Sequence, residues 1–272
     1  MKLNIRWTIG DVADEGFEAL RLSLWGADRL FPPDAGFHVC VNTISVDEAK
    51  HRTGDVPERV QWRSISREVP HVLEPFLDGT MSEGTAWKFI PLLLDRGVRE
   101  LAIDNDLILW ELPLAIRRWM EDPEGTLVAA DVTPAHGQFA EQCGPEPRNS
   151  GIRGTPANFD YEAAIRSVLA DNPVKLRSEL DEQGLQIAAL SRCGVPYVVP
   201  VEDVSICSPF PPHSPELGRC GAHLVGLNTR NLPWDFQGRP AREVRLEHWR
   251  RHRPELYRLV DLNIPAELEP AE

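Results

Sequence analysis

The chain has 272 residues, 42% hydrophobic and 26% charged, enough for one large α/β domain or two small ones and outside the collagen-like, disordered and membrane classes. A formal net charge of −13 argues against nucleic acid as a partner, because gripping a phosphate backbone rests on a surplus of Lys and Arg. A small anion such as a nucleoside diphosphate stays open, provided that a metal ion and a few cationic side chains offset its charge locally.

Cys40, Cys143, Cys193, Cys207 and Cys220 are widely spaced, odd in number and without a CxxC pair, which reads as reduced thiols. The first ten residues lack an apolar signal core and no run of 18 apolar residues occurs. A cytoplasmic protein with no transmembrane segment is therefore expected.

In chain order, Asn4 to Ile9 reads as a first strand ending at Gly10. From Glu15 to Leu30, Phe17, Leu20, Leu24 and Trp25 recur near a 3.6-residue period, which predicts an amphipathic helix stopping before Pro32-Pro33. Gly36 to Asn42 alternates as a strand, and Gln61 to Ile65 is a candidate third. Gly84 to Arg96 is apolar enough for a buried helix, kinked or opened by Pro91. Glu100 to Ile103 then runs into Asp104. This alternation predicts βαβ units and a largely parallel sheet, with sites at the carboxyl ends of strands.

The second half is less regular. Helices are expected over Pro113 to Glu121, over Tyr161 to Ala170 behind an Asp160 cap, over Leu180 to Leu190 and over Arg242 to Val260. Gly137 to Gly154 is polar and Gly-rich, Tyr197 to Val199 is a short strand between Pro196 and Pro200, and Pro265 to Glu272 should fray.

The strongest local feature is LAIDNDLILW. Two carboxylates one residue apart at a strand end can converge on one hard divalent cation, which prefers oxygen ligands and keeps sites for substrate phosphates. Asp and Asn also simply turn chains at strand ends, but a solvent turn is not normally followed by Leu107-Ile108-Leu109-Trp110. A second segment, GAHLVGLNTRNLPW, sets His223 before Gly226 and Pro233-Trp234. Alone, it suits a structural histidine and a surface loop equally.

Together these segments resemble the GT-A glycosyltransferases, especially family 8, the glycogenin and bacterial galactosyltransferase type. Asp104-Asn105-Asp106 is similar to the family's D-x-D, and His223 with Gly226 and Pro233-Trp234 to its late H-x-x-G-x-x-K-P-W. The resemblance implies Asp104, Asp106 and His223 as ligands of Mn²⁺ or Mg²⁺. Asn149-Ser150-Gly151 looks like the family's N-A-G turn and Asp181-Glu182-Gln183 like its D-Q-D segment, which makes Asn149, Asp181 and Gln183 candidate catalytic residues beside the donor sugar. Acidic residues in a helix's first turn also complement its dipole without catalysis. Lys88, after Trp87, falls where relatives carry a cation near the diphosphate, although a lysine there also snorkels to solvent. Thr8, Ile9, Gly10 and Asn42, at the ends of the first strands, and Asn105 are positional candidates for donor contacts.

Two departures stand out. Leu232 occupies the place of the family's lysine, with three extra residues in the segment and Arg230 as the nearest cation. Gln183 replaces the third residue of D-Q-D.

The resemblance implies a single α/β GT-A domain: a mixed, mostly parallel central sheet flanked by helices, with a Rossmann-like nucleotide-binding half (1–112), an acceptor and metal-completing half (113–235) and a C-terminal helical extension and tail (236–272). The implied activity is metal-dependent transfer of a sugar from a nucleoside-diphosphate sugar, UDP-sugar favoured, to a carbohydrate or other hydroxyl acceptor, with retention. An inverting enzyme would need a carboxylate base, a part open to Asp181 or Glu182. A GT-A-shaped protein that binds nucleotide or glycan without catalysis is the alternative. A haloacid-dehalogenase-like phosphatase fits less well, since its D-x-D lies near the domain start. A nucleotidyltransferase would show a Gly-rich basic loop that Thr8 to Phe17 lacks.

Overall fold

The computed structural model describes residues 2–65, 69–77 and 88–265. The predicted fraying of Pro265 to Glu272 falls, beyond Pro265, outside the described residues, as do Trp87 and the first part of the expected helix from Gly84.

The first half builds β1 (Leu3–Ile9), α1 (Asp14–Leu30), β2 (Gly36–Val41), α2 (Val46–Thr53), β3 (Val60–Ser64), β4 (Arg99–Ile103) and β5 (Leu107–Leu109). Helix α1 buries Phe17, Leu20, Leu24 and Ala27 along one stripe, with Asp14 and Glu15 in its first turn and Arg29 in its last, matching the helix dipole at both ends. Helix α2 has no counterpart in the sequence reading. It starts on Ser45, whose side chain accepts from the Glu48 amide at 3.1 Å, and only Ala49 and Thr53 are buried. Its apolar stripe is too thin to register as periodicity.

The second half adds α3 (Leu114–Glu121), β6 (Leu127–Ala130), α4 (Ala140–Cys143), β7 (Arg148–Thr155), α5 (Tyr161–Asp171), α6 (Glu179–Ser191), β8 (Tyr197–Val199), β9 (Val204–Ile206), β10 (Gly221–His223), β11 (Asp235–Phe236), β12 (Arg239–Pro240) and α7 (Ala241–Leu259). The Asp160 cap of α5 forms as expected, accepting from the Ala163 amide.

The main sheet runs β3-β2-β1-β4-β7-β6-β8, parallel except for β7, which is antiparallel to both neighbours. A second sheet, β5-β10-β9, stands at the carboxyl end of β4. One core lies between the main sheet and α1 and α3, around Trp7, Phe37 and Trp119. Another packs α5 and α6 on the opposite face, around Phe139, Ile165 and Leu185. A third joins α1, the second sheet and α7, through Leu22, Ala222, Trp249 and Leu256.

One expectation needs correction. From Lys88 to Asp95 the chain is not α-helical. Pro91 brings no N–H, and the buried ion pair of Arg6 and Glu100 (3.0 Å) takes the backbone groups a helix would use: Arg6 donates to the Pro91 carbonyl and Glu100 accepts from the Leu94 amide at 2.7 Å. The polar stretch Gly137 to Gly154 contains most of β7, a central strand. It carries the buried polar or small residues Asn149, Gly151 and Arg153 on one alternation, so the apolar alternation that would have announced a strand is missing.

Candidate metal centre

Strand β4 delivers Asp104 to the carboxyl edge of the main sheet, and the chain turns at once into β5 of the second sheet. The D-x-D is the corner between two sheets, which is why apolar strands flank it on both sides. Both aspartates are pinned through the backbone: the Asp104 amide donates to Gly151 (2.9 Å), and the Asp106 carbonyl accepts from Leu224 (2.9 Å).

His223 closes β10, paired with Leu107 of β5. Its Nε2 lies 3.4 Å from Asp106 Oδ1 and 3.7 Å from Asp104 Oδ2. One ligand atom from each of the three residues falls within 4.8 Å of the others, with Asp106 and His223 buried and Asp104 half-buried. Two carboxylate oxygens and one imidazole nitrogen form a donor set that fits a divalent cation.

Strand β7 supplies the floor. Its register against β6 jumps between Val128, opposite Arg153, and Ala129, opposite Asn149, so residues 150–152 bulge out of the ladder toward Asp104. At the bulge a Cβ on Gly151 would stand 2.5 Å from His223 Cε1, so only glycine admits the ring. Asn149 holds the bulge by accepting from the Gly151 amide (2.7 Å) and donating to Asp131 (2.9 Å). Gln183 braces it from α6, accepting from the Ser150 amide (3.1 Å) and donating to the Ala135 carbonyl (2.8 Å). Asn149 and Gln183 thus act on the backbone under the site.

Asn105 points away from the cleft, donating to the Gly16 carbonyl (3.1 Å) and to Asn228 Oδ1 (2.7 Å). Asn228 returns the bond to Asn105 (3.0 Å) and reaches Asp106 Oδ2 (3.2 Å). Asn228 lies inside the His223 segment, where nothing in the spacing marks it as a partner of Asp106. Gly226 in that segment has φ +76° and sits against Arg245, whose guanidinium donates to its carbonyl; the loop is packed, not free.

Lys88 also meets the centre, its Nζ 2.7 Å from Asp104 Oδ2 and 3.9 Å from Glu182 Oε2. Burial works against the Lys88 ammonium, but Asp104 and Glu182 outweigh it and hold its pKa above the ordinary value. Burial likewise opposes ionisation of Asp104, yet Lys88, Arg153 and His223 keep its carboxyl below the usual range. For His223, burial favours the neutral ring, and the hydrogen bond and charge of Asp106, with the charge of Asp104, raise it nonetheless.

Glu182 is the exception. Burial pushes it up to about 7 against the pull of Lys88 and Arg153, and its Oε1 is buried without a protein partner. Arg153, also missed from sequence, is buried with Nη1 unpartnered.

Asp181 is placed differently from expectation. Its carboxylate accepts from the amides of Gln138 (2.9 Å), Arg177 (2.8 Å) and Ser178 (3.2 Å) and completes a capping box with Ser178. Burial opposes its charge, but these hydrogen bonds prevail and lower its pKa. Its acceptors are engaged by the start of α6 and by Gln138, whose side chain also donates at 3.0 Å, and the acidic side chain directed at Lys88 is its neighbour Glu182. Arg230 does not stand beside the triad: with Arg52 it converges on Asp11, just past the end of β1, donating to Asp11 Oδ2 at 2.9 Å and to the Val12 carbonyl at 2.9 Å. Thr8 is half-buried in β1, Gly10 is buried at its end, and Asn42, at the end of β2, keeps a buried Nδ2 without a protein partner.

The mostly parallel central sheet flanked by helices matches the GT-A glycosyltransferase fold. No family model and no curated protein matches the sequence. Among solved structures, the galactosyltransferase LgtC in complex with donor and acceptor sugar analogues matches with TM-score 0.55 at 13% identity, over 97% of this chain and 98% of that one. An active-site mutant of LgtC gives 0.53 at 12% identity over the same shares. Mouse xyloside xylosyltransferase 1 gives 0.55 at 14% identity, over 82% of this chain and 97% of that one. Among the described residues no helix is long and apolar enough to cross a membrane.

Proposed function

We propose that the protein is a metal-dependent glycosyltransferase that moves a sugar from a nucleoside-diphosphate donor, UDP-sugar favoured, to a hydroxyl acceptor. The observation that carries this reading is the convergence of Asp104, Asp106 and His223 at the carboxyl edge of β4, with Lys88 alongside. Asp104, Asp106 and His223 would hold a divalent ion, which would supply Lewis-acid charge to a diphosphate leaving group. Lys88 adds a second positive charge at the same edge, and a low-dielectric surround makes each worth more than in water. Thr8, Gly10 and Asn42 stand at the strand ends where a nucleotide would lie, and Asn42 brings an unspent donor.

Within this reading Asn149 and Gln183 hold the bulge that shapes the site, Asp181 fixes the start of α6, and Glu182 is the carboxylate facing the donor sugar. Transfer with retention follows the family 8 likeness. A second reading, nucleotide or glycan binding without turnover, draws support from Leu232 in the lysine position and from Arg230 being engaged by Asp11.

A thermal-shift panel of UDP, GDP, ADP and CMP, with and without Mn²⁺, tests the first reading. UDP with Mn²⁺ should stabilise the wild type by about 2–3 kcal/mol at a hundredfold excess over Kd, and Asp106→Asn should lose the metal-dependent part. If no nucleotide stabilises the wild type in a metal-dependent way, the reading fails. Metal-dependent UDP binding without release of UDP from any donor would establish the second.

A further inference from the structure

A second convergence of metal-ligating side chains lies in the third core, unused by the chemistry above. Cys207, one residue past β9, and His248 and His252, one turn apart on the same face of α7, are all buried and bring one ligand atom each within 4.8 Å of the others. Cys207 Sγ is 3.9 Å from His248 Nε2. Both imidazoles aim at one point, the Pro215 carbonyl oxygen, at 2.7 Å from His248 Nε2 and 2.8 Å from His252 Nε2, with Cys207 Sγ 4.0 Å from the same oxygen.

Tetrahedral zinc with ordinary Zn–S and Zn–N bonds sets sulfur about 3.5 Å from each nitrogen. The distance from Cys207 Sγ to His248 Nε2 exceeds this by a few tenths of an ångström, and the Pro215 oxygen, at hydrogen-bond distance from both nitrogens, would have to recede by about half an ångström to take a corner of the tetrahedron. The two N–H···O bonds to Pro215 account for the histidines; what they do not require is that the Cys207 sulfur, in the same apolar cluster, closes on the point where both rings converge.

We propose that Cys207, His248 and His252 bind one structural Zn²⁺, with the Pro215 carbonyl at the fourth corner. The soft thiolate and imidazole set selects zinc, whereas the oxygen-rich Asp104, Asp106 and His223 set does not. On binding, the thiol proton goes to solvent and each ring proton moves from Nε2 to Nδ1, so one proton is released per ion.

The site would cinch the loop from Cys207 to Pro215 onto α7. It also touches the first centre through the backbone, since the Cys207 amide donates to the His223 carbonyl at 2.8 Å. Zinc here would stiffen the strand pair that presents His223.

The test is cobalt substitution of the metal-stripped full chain. One equivalent of Co²⁺ should produce thiolate-to-cobalt charge-transfer absorption that Zn²⁺ abolishes by competition. The band should persist in Asp106→Asn and vanish in Cys207→Ser and in His252→Gln, whose amide still donates to Pro215. No charge-transfer band in the wild type, or a band that survives Cys207→Ser, overturns the proposal. Should these variants not fold, alkylation mapping of the wild type decides: Zn²⁺ should slow labelling of Cys207 at least tenfold and leave the exposed Cys193 unchanged. Equal labelling of Cys207 with and without zinc overturns it.

Discussion

Gly151 lies directly under the His223 ring, so close that a methyl group at position 151 would stand 2.5 Å from Cε1 and 2.7 Å from Nδ1. Gly151→Ala must therefore displace the ring or the bulge. Disturbing the support of a metal ligand costs about 10–100-fold in affinity. Mn²⁺ affinity by calorimetry should fall in that range with the far-UV spectrum unchanged; unchanged affinity would remove His223 from the ligand set.

Asn228 ties Asn105 and Asp106 to one another across the cleft wall. Asn228→Ala leaves the Asn105 amide short of an acceptor and frees Asp106 to rotate. A loss on the order of 1–3 kcal/mol is expected in urea unfolding, with weaker Mn²⁺ binding. The same loss of stability with Mn²⁺ affinity intact would limit Asn228 to a structural role.

The raised pKa of His223 sets the direction of the pH dependence. Without metal, the protonated ring paired with Asp106 and Asp104 contributes stability that is complete below the unfolded value of about 6.5 and is lost as pH rises through the higher folded value. Metal binding needs the neutral ring, so a proton must leave. Mn²⁺ affinity should rise up to about tenfold per pH unit until the folded pKa is passed, and His223→Gln should flatten that slope.

Glu182 carries the opposite kind of strain. Its folded pKa of about 7 lies above that of an unfolded glutamate, so the native state loses stability as pH climbs from about 4.5 through 7. Glu182→Gln should stabilise the metal-free protein at pH 8 by on the order of 1–3 kcal/mol and lower UDP release from the donor by at least tenfold. A variant that is more stable and equally active would take Glu182 out of the chemistry.

Much of the first half was legible because its signals are local. Phe17, Leu20 and Leu24 show a helix by spacing alone, and the apolar runs around Asp104-Asn105-Asp106 mark a buried corner before any partner is known. Asp104, Asp106 and His223 were each visible as residues of ligand type, and the family likeness placed them together. Strand β7 was not legible, because a strand that floors a site carries Asn149, Gly151 and Arg153 where a core strand would carry valines.

The sequence by itself determined that a D-x-D terminates a buried strand of an α/β chain. The tertiary structure decided which neighbours act on it. Asp181 and Glu182 are adjacent in the chain and chemically alike, yet the turn of α6 commits one carboxylate to backbone amides and leaves the other buried beside Lys88. Periodicity records which face of an element is apolar; it holds no record of where a side chain's hydrogen bonds end, and here those bonds separate a capping residue from a candidate for chemistry.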